Sequence, residues 1–324
     1  MVRCDKFSRR TFVGGVLSAA AVAGIGPQVA NPLTDLVVQA AQCPVMPSRP
    51  LGQTGYDVRI FSLGGQATLE KQGTEAESLA IISRALDLGV NYIDTAAAYG
   101  NGQSERHFGA VLKSRRKQVF LASKTHSKSY DGSMRLLEQS LKNLNTDHLD
   151  LWQLHNVRTQ SDLDAIFAAD GAIKALEEAR AQKMVRFLGI TGHFDPLILK
   201  KALEQYPFNT ILMPLNAADK HEKSFIDILL PVAVQKGMGV IGMKVPARGR
   251  IFRENGVVTM ETAMRYVLTL PVSSVIIGIS TLDELEENVR IAEKFVAMTP
   301  EEMRKTEELT KPYFKDATWF KQHW

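Results

Sequence analysis

Val119-Phe120-Leu121-Ala122-Ser123 and Leu149-Asp150-Leu151-Trp152-Gln153-Leu154-His155 are short, mostly apolar runs. Between them the chain changes period, and Met134, Leu137, Leu141 and Leu144 fall on one helical face. A strand buried on both faces reads as a near-continuous apolar run, the mark of a parallel sheet covered by helices. Working outward, the same unit recurs. Further β-type runs lie at 59–63, 90–94, 186–191, 210–214, 240–245 and 274–279. Leu79, Ile82 and Leu86 form another helical stripe, as do Leu282, Leu285, Val289, Ala292 and Val296. Gly89 and Gly237 stand where helix gives way to strand, the place for a left-handed cap. This makes eight βα units, the number that closes a parallel α/β barrel of the (β/α)8 (TIM) type. A doubly wound open sheet is the alternative. It lacks its Gly-x-Gly-x-x-Gly fingerprint after the first strand, and no second domain follows.

Two additions flank the barrel. Ahead of it, Arg49-Pro50-Leu51-Gly52-Gln53-Thr54-Gly55-Tyr56-Asp57-Val58 reads as a hairpin suited to plugging the barrel floor. After it, Thr299-Pro300-Glu301-Glu302 is a capping box with proline at the first helical position, so an extra helix starts there. The aromatic-rich stretch 313–324 is either a tail packed on the barrel or a wall of the substrate pocket.

Composition is that of a globular enzyme-sized domain. Of 324 residues 45% are hydrophobic and 23% charged, and the formal charge of +4 is scattered rather than clustered, so no nucleic-acid partner is expected. No metal site is expected either. The first residues stand apart. Arg3, Lys6, Arg9 and Arg10 form a basic head before an uncharged, mostly apolar run at 11–26. Ser8-Arg9-Arg10-Thr11-Phe12-Val13 resembles a twin-arginine (Tat) export signal, which implies the Tat machinery as partner and a periplasmic or exported protein. The apolar run is shorter than the roughly 20 residues of a stable span. Cleavage is therefore expected, after Ala30 or later in the stretch before Cys43, with membrane contact only in transit; an uncleaved anchor is the alternative. Residues 1–43 are read as signal and junction, and 44–324 as the barrel. Cys4 and Cys43 are the only cysteines, so the mature domain has no internal disulfide.

In a (β/α)8 barrel the active site lies at the C-terminal strand ends. Reading those ends in order gives Asp94, Lys124 and His155, with Tyr99 in the loop after Asp94. A phenol is a reluctant base at neutral pH. A nearby ammonium would lower its pKa, a carboxylate would hold that ammonium charged, and a histidine could orient a carbonyl oxygen. Singly, each of these residues is more simply a helix cap or a solvated strand end. Four of the right types, in order and at strand ends, form a proton relay beside a polarised carbonyl.

Gly89-Val90-Asn91-Tyr92-Ile93-Asp94-Thr95-Ala96-Ala97-Ala98-Tyr99-Gly100-Asn101-Gly102-Gln103-Ser104-Glu105 resembles the aldo-keto reductase signature. Ser123-Lys124-Thr125 and Leu154-His155 match the family's other two catalytic positions, and similarity continues through Gly278-Ile279-Ser280-Thr281 and Glu287-Asn288. The resemblance implies that Tyr99 is the acid–base group, that Lys124 and Asp94 tune it, and that His155 orients the carbonyl. It implies a nicotinamide cofactor, NADP by family habit or else NAD, contacted at Gly65, Thr191, Met243, Lys244, Gly278, Ser280, Thr281, Glu284, Glu287 and Asn288.

Several of these depart from the family pattern. Where the family grips the nicotinamide amide with Ser-Asn after the fifth strand and a Gln on the sixth, this chain has Thr191-Gly192 and Leu212. Gly192 and Leu212 cannot hydrogen-bond through side chains, although His193 is close by in sequence. Where an aromatic ring stacks after the seventh strand, the chain has Met243-Lys244. Where NADP-selective members clasp the 2′-phosphate, it has Gly278 and Glu284; Glu284 also reads as a capping box with Thr281. Lys244, Arg248 and Arg250 are candidate phosphate contacts.

The expected function is NAD(P)-dependent interconversion of a carbonyl (aldehyde, ketone or sugar) and an alcohol. The alternative is an exported protein that keeps the barrel and the cofactor for binding or redox sensing. A lyase using Lys124 as a Schiff base leaves Tyr99 without a role. Export of a soluble-cofactor enzyme further implies a tightly bound nucleotide, since none is expected free outside the cytoplasm.

Overall fold

The structure, a computed structural model, describes residues 45–323; the expected signal segment 1–43, with Cys4 and Cys43, lies outside the described residues. The hairpin comes first, as β1 (Ser48–Pro50) and β2 (Asp57–Arg59), paired antiparallel. Eight parallel strands follow: β3 (Phe61–Ala67), β4 (Tyr92–Asp94), β5 (Phe120–Thr125), β6 (Leu149–Leu154), β7 (Val185–Thr191), β8 (Thr210–Pro214), β9 (Gly239–Met243) and β10 (Ser274–Ile279). They close into a barrel in chain order, β10 pairing back onto β3. The expected (β/α)8 barrel is therefore the observed fold.

The runs at 210–214 and 274–279 match β8 and β10 to the residue. The first run, 59–63, is displaced, because Arg59 pairs with Ser48 in the hairpin and the barrel strand runs on through Gly64, Gly65 and Gln66 to Ala67. Those residues carry no apolar signal.

The barrel interior is packed rather than open. Tyr92, Phe120, Ala122, Leu151, Leu212, Ile241, Met243 and Ile276 form one buried cluster with Leu51 and Val58 of the hairpin. Gly52, at φ 55°, lies so close to the start of β9 that a Cβ there would stand 2.1 Å from the Gly239 nitrogen. The hairpin thus stops the N-terminal end of the barrel, opposite the C-terminal strand ends.

The helices bury one face each, within limits that the stripes overstate. Helix Leu282–Glu293 buries Leu285, Val289 and Ala292, but Leu282 is 42% and Val296 66% exposed. Leu282 is the first helical residue and Val296 lies past the last, so neither faces the barrel. Gly89 and Gly237 have φ of 86° and 67°, the left-handed caps expected. Helix Pro300–Thr310 opens with the full capping box: Thr299 Oγ1 accepts from the Glu302 N–H at 3.2 Å, and the Glu302 carboxylate accepts from the Thr299 N–H at 2.6 Å.

The tail packs on the barrel. Phe320 is buried, and the Tyr313 hydroxyl donates to the Ile251 carbonyl and accepts from the Val257 N–H, both at 3.0 Å. Asp316 contacts Arg250 and Arg253. The tail therefore braces the loop after β9. Among the described residues no helix is long and apolar enough to cross a membrane.

Candidate active site

Alternation along the strands decides which side chains enter the barrel mouth. Tyr92 and Asp94 share the inward face of β4, Ala122 and Lys124 that of β5, and Leu151 and Gln153 that of β6. Asp94 and Lys124, both fully buried in their side chains, are thereby brought into direct contact as an ion pair. Gln153 Nε2 donates to Asp94 Oδ2 at 2.9 Å, and the Tyr92 hydroxyl donates to the same oxygen at 3.4 Å. Lys124 Nζ also donates to the Thr95 carbonyl at 2.7 Å and to the Tyr99 hydroxyl at 3.4 Å. The phenol meets the His155 ring edge-on, with centroids 5.6 Å apart at 81°. His155 lies one residue past β6, and its N–H is tied to the Thr125 carbonyl at 2.8 Å. All four residues taken as catalytic thus converge.

The Ser-Glu pair that follows Tyr99 plays another part. Ser104 Oγ lies 2.8 Å from Thr95 Oγ1, and Glu105 accepts from Ser123 at 2.6 Å and Asn143 at 3.0 Å. Both are buried and tie helix Gln103–Arg115 to β5 and to helix Tyr130–Asn143. They brace the loop that holds Tyr99.

Burial reverses one expectation. The Lys124 ammonium pulls the Tyr99 phenol towards ionisation, but desolvation outweighs it and Asp94 opposes it, so the pKa of Tyr99 is raised. Tyr99 therefore keeps its proton at neutral pH. Burial works against the charge on Lys124, yet Asp94 and Tyr99 together raise its pKa, and it stays an ammonium. Desolvation and neighbouring cations push His155 and His193 well below the ordinary histidine value, so both are neutral. A neutral imidazole beside a protonated phenol is a pair of hydrogen-bond partners for one carbonyl oxygen.

A cleft of about 640 Å³ opens beside Tyr99 and runs over the ends of β3, β9 and β10. Gly65, Met243, Lys244, Gly278, Ser280, Glu284, Glu287 and Asn288 line it; Thr191 and Thr281 do not. Thr191 is buried, its hydroxyl accepting from the Asn156 N–H at 3.1 Å. The Thr281 hydroxyl caps its helix, accepting from the Glu284 N–H at 3.2 Å. The position after Thr191 is closed to a larger side chain, since a Cβ on Gly192 would stand 2.5 Å from the Val157 carbonyl oxygen. Leu212 belongs to the barrel interior, and His193 lies 3.1 Å from Asn156 Oδ1. Arg248 lines the cleft, whereas Arg250 is held by Asp316.

Sequence reasoning missed Gln66, Ala67, Glu70 and Lys71 at the end of β3, and Phe252 and Met260 beyond β9. The donor set fits a nicotinamide dinucleotide. Gly64, Gly65 and Gly278 give bare main-chain walls, Ile276, Met243 and Phe252 give apolar surface, and Lys71, Lys244 and Arg248 supply cations.

Residues 61–253 match the model of the Aldo/keto reductase family. The chain belongs to the aldo/keto reductase family. It is an oxidoreductase acting on carbonyl or alcohol groups, of a broadly NAD(P)-dependent class. It is 28% identical to the L-galactose dehydrogenase of Arabidopsis thaliana, over 84% of this chain and 96% of the relative. It is 26% identical to the uncharacterized oxidoreductase YqkF of Bacillus subtilis, over 82% and 97%. Among solved structures, the holo form of aldo-keto reductase AKR11C1 from Bacillus halodurans superposes with a TM-score of 0.69 at 25% identity, covering 82% of this chain and 96% of that one. The aldo/keto reductase likeness thus extends well beyond the matched residues 61–253.

Proposed function

We propose that this chain interconverts a carbonyl compound and an alcohol with NADP or NAD, and that Tyr99 is the group that gives and takes the proton. The observation that carries the reading is the continuous contact Asp94–Lys124–Tyr99 opening onto the cleft. The bound nucleotide would supply or accept the hydride. In the reducing direction the Tyr99 hydroxyl donates its proton to the carbonyl oxygen, and the charged Lys124 stabilises the phenolate that forms. Asp94 holds Lys124 in place, while neutral His155 donates a hydrogen bond that fixes the oxygen. In the oxidising direction the same phenolate takes the alcohol proton. Gly65, Met243, Lys244, Arg248, Gly278 and Ser280 would hold the nucleotide.

Tyr99→Phe tests the assignment. Steady-state turnover is expected to fall by about 10²- to 10⁴-fold, while nucleotide binding by fluorescence titration stays intact. Unchanged turnover would instead favour a cofactor-binding or redox-sensing protein. The Arg9-Arg10 head adds a second part to the proposal: the barrel is folded, loaded and exported by the Tat route, and retains its nucleotide. Denaturing the purified mature protein should release one nucleotide per chain. An empty protein that exchanges nucleotide at micromolar concentration would overturn this part.

A further inference from the structure

The cleft takes its lining from β3, β4, β9, β10 and the segments after them, and none from β5 to β8. The loops after β5, β6 and β7, at the same end of the barrel, carry His126 and Lys128, His155 and Arg158, and His193 and Phe194. The Arg158 guanidinium carbon lies 5.4 Å from the centre of the Phe194 ring, and Lys223 Nζ lies 4.9 Å from it. Two carboxylates share this rim, and both are turned to helix ends. Asp162 Oδ2 accepts from the Arg158 and Thr159 N–H groups at 2.8 and 3.1 Å, and its other oxygen is 3.7 Å from Lys128. Asp195 Oδ1 accepts from the Leu197 N–H at 2.8 Å, and its other oxygen is 3.8 Å from Lys223.

The histidines between register the imbalance. Besides burial, Lys124, Lys128 and Lys244 depress His155, and Lys244, Lys124 and Arg158 depress His193. Cations gathered at one rim repel one another, and an incoming anion relieves that repulsion. A guanidinium laid against an aromatic ring also leaves its N–H edge free to form a fork with two oxygens.

Resting on the carbonyl–alcohol reading above, we propose that the substrate is anionic, its carboxylate or phosphate held by Arg158 and Lys128 while its carbonyl lies between Tyr99 and His155. The nucleotide does not account for Arg158 and Lys128, which belong to the segments after β6 and β5 and line no part of its cleft.

The test compares matched probes on the nucleotide-loaded enzyme: phenylglyoxylate against its methyl ester, and glyceraldehyde 3-phosphate against glyceraldehyde. The anion of at least one pair is expected to show kcat/KM about tenfold or more above its neutral partner. That advantage should shrink as ionic strength rises. Which pair responds distinguishes carboxylate from phosphate. Arg158→Gln and Lys128→Gln should each narrow the ratio. Neutral partners handled as well as the anions in both pairs, or a ratio that neither variant changes, would overturn the proposal. Calorimetric titration of the same four probes separates the two readings. Tighter anion binding without turnover of any probe keeps the anion site and removes the carbonyl–alcohol reading, whereas turnover without anion preference does the reverse.

Discussion

On one side of the bowl, Asp94 is enclosed by Lys124, Gln153 and Tyr92, and Lys124 passes its remaining donors to Thr95 and Tyr99. Beside that network, the cleft is walled by glycine main chain and by long side chains such as Glu284, Glu287 and Arg248, which are largely exposed. The first region is a closed polar network in a packed interior, where each group is costly to leave unpaired. The second is a surface assembled from loops, where one side chain can replace another without disturbing the fold. The contacts among Asp94, Lys124 and Tyr99 are consequently fixed by the fold, and the lining of the cleft is left adjustable.

The largest effect should come from breaking the closed network. Lys124→Met leaves Asp94 as a buried carboxylate without its countercharge, and Gln153 and Tyr92 provide only neutral donors. A loss of about 3–5 kcal/mol in urea unfolding is expected. Adding Asp94→Leu removes the stranded charge, so the double variant should recover most of that stability but no turnover. A single variant that costs less than about 1 kcal/mol would show the pair to be wetter and weaker than its burial implies.

A smaller effect is expected at the far end of the cleft. The Glu284 carboxylate accepts from the Ser280 N–H at 2.7 Å, which fixes an anion where Thr281 already caps the helix. A ribose 2′-phosphate placed there would meet that charge. Glu284→Gln removes it and keeps the shape, and is expected to improve NADP binding relative to NAD by about two- to fivefold, within the usual worth of one exposed like-charge contact. An unchanged ratio of dissociation constants would place the 2′-position elsewhere.

The difference between the two regions also governs what the amino-acid sequence alone discloses. Asp94 and Lys124 close apolar runs with a charge, and His155 ends one, so strand periodicity points to them directly. Tyr99 lies off the strands and emerged from the motif. Its raised pKa was illegible, because sequence names the neighbouring ammonium but not the extent of desolvation. The end of β3 was lost because Gly64, Gly65 and Gln66 interrupt the apolar pattern. Much of the cleft depends on backbone turns that no residue type announces. Ala67, Lys244, Ala247 and Arg248 all have positive φ without being glycine, a conformation that non-glycine residues seldom adopt.

Lys244 offers the subtlest test of the adjustable region. Burial, with help from Arg248 and Lys124, lowers its pKa from 10.5 to about 7. Below pH 7 the amine is charged in both folded and unfolded chains, and the full penalty of holding it near other cations is present. Between pH 7 and 10.5 the unfolded chain binds more protons, so stability from this group rises with pH. Lys244→Met should therefore raise Tm at pH 6–7 by a few degrees, with the gain fading towards pH 10. A nucleotide diphosphate beside Lys244 would favour the charged form again, so binding at pH 8 should take up a fraction of a proton. Calorimetry in two buffers of different ionisation enthalpy measures that uptake, and affinity should decline as pH rises from 7 to 9. The Met variant should lose both the uptake and the pH slope. Equal uptake in the two proteins would mean that the diphosphate lies beyond the reach of Lys244, and that Arg248 or Lys71 holds it instead.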